Sequence, residues 1–146
     1  MHRILICLLL LAAPACAQDA NALLRAWAEA YATNEGPRMS ALYTEDARLW
    51  GSVSRQQTVG RAAISGYFAR VRPGAIAIDV RFGEFALREL TPQVAVASGH
   101  YTFLRRQADG GESGEPSRFN MVMLRGADGA WRIADHHSSR LPPAPR

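Results

Sequence analysis

The residues best suited to chemistry gather near the end of the chain, in the run DHHSSRLP from Asp135 to Pro142. It holds two of the four histidines, the side chain whose ordinary pKa makes it a proton carrier near neutral pH. Just upstream, SRFNMVML contributes Arg118 and Asn120, and ASGHYTF contributes His100. With GADGA as a hairpin loop, Leu124 faces Arg132 and Asn120 faces His136. Period-two alternation then gathers Arg118, Asn120, His136 and Ser138 on one face, and sends Phe119, Met121, Met123, Trp131, Ile133, Asp135 and His137 to the other. An arginine fork and a histidine beside two hydrogen-bonding side chains suit a small carboxylate, which a guanidinium grips through two parallel bonds. On the preceding strand Ser98, His100 and Thr102 alternate with Ala97, Gly99, Tyr101 and Phe103, which makes His100 a candidate for the same pocket. The candidate ligand-binding residues are therefore Arg118, His136, Ser138, Asn120 and His100.

Other chemistries fit the same residues less well. Adjacent histidines on a strand point to opposite faces, so His136 and His137 do not share a metal, and no metal site is expected. A nucleophile at Ser138 or Ser139 lacks the glycine-framed strand-to-helix elbow that such serines use. No pair among Asp46, Asp79, Asp135 and the histidines has a spacing that specifies a reaction, so no catalytic residue is assigned. An isomerase, cyclase or hydrolase using His136, His137 or Asp135 as acid or base is the alternative reading, and a structural protein–protein module is a further one. No glycine-rich dinucleotide turn or flavin motif is visible, so no cofactor is expected.

Helices followed by strands must position these groups. Leu23, Leu24, Trp27, Ala28 and Tyr31 fall at helical spacing with Asp19 as N-cap, and Gly36–Pro37 is the expected stop. A short helical turn over residues 39–43 leads into the strand TEDARLWG. Ile64, Tyr67, Phe68 and Val71 share one face of a third helix, stopped by Pro73 and Gly74. Strands follow near 75–89, 94–106, 117–125 and 131–138, separated by TPQ, ADGGESGEP and GADG. This order predicts an α+β domain, with N-terminal helices packed in a curved antiparallel sheet.

The first residues have the form of a secretory leader: His2 and Arg3, an apolar run from Ile4 to Ala13, and the small-residue site Ala15–Cys16–Ala17. The expected organisation is a signal peptide over 1–17, one domain over 18–142 and a proline-rich tail over 143–146, in an exported periplasmic or secreted protein. A lipid anchor at Cys16 is the alternative, although Ala13 and Pro14 depart from the usual lipoprotein box. Cleavage after Ala17 removes both cysteines and with them any disulfide. Seventeen basic residues, all arginine, stand against 13 acids. They are scattered rather than clustered, which argues against nucleic acid.

The segments LYTEDARLWG, GRAAISGYF, ASGHYTF, SRFNMVML and DGAWRIADHHSSRLP together resemble the NTF2-like superfamily over residues 20–142. Within it the chain is most similar to the association (hub) domain of calcium/calmodulin-dependent protein kinase II and its bacterial stand-alone relatives. The resemblance implies a cystatin-like cone that pairs through its sheet into a homodimer or larger ring. It also implies a deep arginine-lined pocket for small carboxylates. Here the hub arginine beside the final serine is represented by Ser138, the one on the preceding long strand falls at His100, and Arg118 lies on the expected strand. With no kinase segment present, calmodulin is not an expected partner. The leading expectation is a non-catalytic homo-oligomer with a pocket for a small acidic ligand.

Overall fold

A computed structural model of the chain describes residues 19–70, 77–106 and 110–143. The leader with Cys7 and Cys16, Val71, the helix stop at Pro73–Gly74 and the end of the tail lie outside the described residues.

Three helices precede most of the sheet: α1 (Ala20–Thr33), α2 (Gly36–Ser40) and α3 (Arg61–Arg70). The Asp19 carboxylate accepts from the Ala22 backbone N–H at 2.6 Å, which satisfies one of the donors that a helix start leaves unpaired. The stop differs from expectation. Asn34, in the left-handed conformation at φ 60°, ends α1, while Gly36 and Pro37 open α2 with proline in its first turn. A proline there loses no helical hydrogen bond and arrives with φ already set, so the pair that read as a breaker is a start signal.

The strands are β1 (Tyr43–Trp50), β2 (Thr58–Val59), β3 (Ala77–Thr91), β4 (Val94–Arg106), β5 (Glu112–Arg125) and β6 (Trp131–Arg140). They form one six-stranded sheet in the order β2-β1-β6-β5-β4-β3. Strands β3 to β6 make the expected antiparallel meander, but β1 returns beside β6 in parallel. The α+β architecture of helices packed in a curved sheet is thus present, with one parallel pair in it. Strand β5 starts five residues before the expected Ser117, because Glu112 to Pro116 pair across β4 with Arg106 to Thr102 and absorb half of the glycine-rich loop.

The helices fill the concave side of the sheet. Leu24, Trp27 and Tyr31 of α1 and Ile64 and Phe68 of α3 are buried against Ala97 and Tyr101 of β4, Phe119, Met121 and Met123 of β5 and Ile133 of β6. Trp27 is the hub of this core: its ring stacks on Tyr31 at 5.3 Å and on Tyr101 at 5.7 Å, and meets Phe68, Phe82 and His136 edge-on.

Candidate functional site

The register of the last hairpin decides what shares a face. Leu124 stands opposite Arg132 as expected, but the pairing slips between Met123↔Ile133 and Val122↔Asp135, leaving Ala134 as the extra residue of a bulge. Beyond it every residue of β6 changes face, since one inserted residue inverts a period of two. Asn120 therefore pairs with His137, not His136, and Met121 pairs with His136. His136 and Ser138 point into the core beside Phe119 and Met121, at 1% and 6% exposure. Arg118 and Asn120 are exposed on the outer face with His137 and Ser139. The grouping of Arg118 and Asn120 with His136 and Ser138 is corrected accordingly: the sheet lies between the two pairs, and no pocket holds both.

His100 pairs with Arg118, and Ser98 with Asn120. His100 thus joins the outer group and not the pocket of His136. There the Arg118 Nε donates to Ser139 Oγ at 3.0 Å along one wall of a shallow depression that also includes Asn120 and His137.

The inner group forms a chain of hydrogen bonds. Trp27 Nε1 donates to the Tyr43 hydroxyl at 2.9 Å, and that hydroxyl lies 2.9 Å from His136 Nδ1. On the far side of the imidazole, Nε2 is 3.4 Å from the Tyr101 hydroxyl. Indole N–H can only donate, so the Tyr43 oxygen accepts from it and gives its own proton to Nδ1. That assigns the Nε2–H tautomer, which donates to the Tyr101 oxygen, and directs the Tyr101 proton toward Ser138. Ser138 Oγ is buried with no completed hydrogen bond of its own, although it lies close enough to the Tyr101 hydroxyl to lower that phenol's pKa.

Burial sets the charge state of the chain. Loss of water pushes His136 down to about 3, and the neighbouring charge of His137 pushes the same way. Burial raises Tyr43 and Tyr101 above the ordinary phenol value, against the opposing bond from Trp27 and the nearby Ser138 hydroxyl. All three are neutral around pH 7.

Ser138, His136 and Tyr101 border a small cavity together with Trp27, Tyr31, Phe68 and Phe103. Leu49, Gly51, Ser52 and Tyr67 complete its wall. About 20 Å³ is free to the centre of a water-sized sphere, room for a water or two, since roughly 10–15 Å³ so measured holds one. The described residues of the wall offer hydrogen bonds within an aromatic cage and carry no fixed charge. Among the described residues no cluster of three His, Cys, Asp or Glu side chains could hold a metal.

Sequence reasoning found His136 and Ser138 but missed Tyr67 and Tyr101 at the cavity and Tyr43 behind His136. The signal for Tyr101 was present: its alternation with His100 sets it on the face of Ala97 and Phe103. Tyr43 carried none, because its link to His136 spans 93 residues.

The sequence matches the SnoaL-like domain family over residues 20–145. Among solved structures it is similar to a protein assigned as a calcium/calmodulin-dependent protein kinase II association domain from Xanthomonas campestris, at 29% identity and TM-score 0.76, over 85% of this chain and 86% of that one. An NTF2-like protein with a cystatin-like fold from Novosphingobium aromaticivorans shares the fold at 18% identity and TM-score 0.70, over 84% and 79% of the two chains. A ketosteroid isomerase-like protein from Erwinia carotovora atroseptica does so at 20% identity and TM-score 0.64, over 84% and 94%. A comparison with curated proteins found no match.

Proposed function

Because the chain belongs to the SnoaL-like domain family, we propose that it is an exported binding domain whose cone takes a small, uncharged molecule carrying a hydrogen-bonding group. The observation that carries this reading is the neutral Tyr43–His136–Tyr101 chain ending on the unsatisfied Ser138 Oγ at the cavity wall. A hydroxyl buried without a partner costs free energy that a ligand's polar group would recover. The acidic ligand expected from the sequence finds no cation among the described residues that line this cavity, and the guanidinium of Arg118 is across the sheet. Acid–base catalysis fits less well than binding. An imidazole held near 3 is a weak base at neutral pH, and phenols raised by burial are weak acids. Export rests on the leader pattern of residues 1–17.

Titration calorimetry with 4-methylphenol and with benzoate tests this reading. The neutral phenol is expected to bind and benzoate to bind at least tenfold more weakly. Ser138→Ala, which removes an unsatisfied hydroxyl, should leave stability within about 1 kcal/mol of the parent while weakening the phenol about fivefold, the worth of one hydrogen bond. Benzoate binding that is lost in Arg118→Ala, with no binding of the phenol, would instead favour an acidic ligand on the outer face.

The outer face also supports self-association. Val94 pairs with Leu124 and Val96 with Val122, giving four apolar side chains opposite the buried row, with Trp50 beside His137 at 40% exposure. An apolar strip of this kind on a solvent face favours a partner surface, and a second copy is self-complementary to it. Light scattering is expected to give a dimer for the parent and a monomer for Val96→Asp combined with Val122→Asp. A parent that stays monomeric at 100 micromolar, on the order of the weakest useful association, would rule the interface out.

A further inference from the structure

Tyr67 differs from the other aromatic residues at the cavity. Trp27 and Tyr101 are locked by several ring contacts, and Phe68 is buried among them. Tyr67 is only half-buried, and among the described residues its one ring contact is with Phe68, edge-on at 5.1 Å. Its hydroxyl rests directly on Gly51, so closely that a Cβ at that position would overlap it. The backbone of Val53 and the side chain of Ser54 face the same hydroxyl. The phenol thus forms the part of the cavity wall that meets the loop after β1.

The cavity's free volume is far below the roughly 300 Å³ at which small-molecule sites begin, so a ligand needs space that a side chain must give up. Among the described residues, displacing Tyr67 breaks one ring contact and the hydroxyl's bonds to the loop after β1, whereas displacing any of the buried rings dismantles the core. We propose that Tyr67 is a built-in stand-in for the ligand: its side chain swings outward, and a phenol-sized aromatic ring takes the place its own ring vacates, reaching inward to Ser138. This rests on the binding reading above and adds to it the class of ligand, a monocyclic neutral aromatic, and the residue that sets it. A ring of that size meets Phe68 as Tyr67 does, and the absence of a side chain at Gly51 leaves room for its substituent.

The test uses 4-methylphenol, which is the tyrosine side chain as a free molecule. Calorimetry on the full chain is expected to show at least tenfold tighter binding to Tyr67→Ala than to the parent, since the competing ring is gone. Tyr67→Phe, which keeps the ring and removes its hydroxyl bonds, should gain a few-fold. Gly51→Ala places a methyl where the Tyr67 hydroxyl rests and where the guest's substituent would lie, so added to Tyr67→Ala it should weaken 4-methylphenol binding relative to Tyr67→Ala alone. Aromatic carbon–proton spectra of the parent, with the Tyr67 signal assigned by its loss in Tyr67→Phe, should show that signal moving to the position of a solvent-exposed tyrosine as 4-methylphenol is added. This last readout separates exchange in the parent from a cavity made by the alanine variant. Binding that is equal in parent, Tyr67→Ala and Tyr67→Phe, with an unmoved Tyr67 signal and continued sensitivity to Ser138→Ala, would overturn the exchange and leave the binding reading standing. No binding to the parent or to any variant would overturn both.

Discussion

Replacing Trp27 with alanine is expected to cost about 4 kcal/mol of folding stability, in the range of roughly 3–5 kcal/mol seen when a buried aromatic is truncated. The ring is 1% exposed and packs against five other rings drawn from α1, α3, β3, β4 and β6. Truncation therefore opens a void bounded by several elements, none of which can close over it without moving its own strand or helix. It also strips the Tyr43 oxygen of the indole donor, so part of the cost is a buried polar atom left short of a partner. Urea unfolding should show the loss as a lower midpoint with an unchanged slope, the sign of a native-state effect. Trp27→Phe restores most of the ring volume but not the bond to Tyr43, and should lose about half as much. A cost below about 1 kcal/mol for the alanine variant would mean the neighbours collapse into the space, and the cone would not be held open by this residue.

Local chemistry is what the sequence displayed most clearly. Asp19 followed by an apolar stripe specifies α1, because cap and stripe act within one or two turns. The loop GADGA specifies the last hairpin and, through Leu124↔Arg132, its register at the turn. The candidate site failed to follow from that register because of Ala134. Its small side chain carries no mark of a bulge, and inserting it inverts the facing of His136 and of every residue after it. The NTF2-like resemblance supplied the architecture but could not supply that one-residue offset. The parallel return of β1 beside β6 was also hidden, since it joins residues some 90 positions apart and obeys no local rule. Strand alternation separated His100 from Tyr101 correctly, because no bulge interrupts the pairing of β4 with β5, but the set with His100, expected at the pocket, lies on the outer face.

The buried histidine should make the protein's stability depend on pH in a way that isolates it. In the unfolded chain His136 takes up a proton near its ordinary value of 6.5, whereas in the folded chain burial holds it to about 3. Between those values the unfolded state binds more protons, so stability is full above 6.5 and declines as the pH falls toward 3. Each unit within the window is worth about 1.4 kcal/mol, or on the order of 5 kcal/mol across all of it. His136→Gln can still accept from Tyr43 and donate toward Tyr101, but it has no proton to gain. The stability difference between parent and variant should therefore shrink steadily from pH 6.5 to pH 4, while the carboxylates common to both cancel. His137→Gln, on the outer face, should leave most of that slope in place. Parallel curves for parent and His136→Gln would show that the imidazole is already protonated, or reached by water, in the folded state. A charged imidazole would have both nitrogens donating, which the Tyr43 hydroxyl can meet only by giving up its role as donor. The neutral chain from Trp27 to Ser138 would then not exist, and with it would go the argument that the cone prefers an uncharged guest.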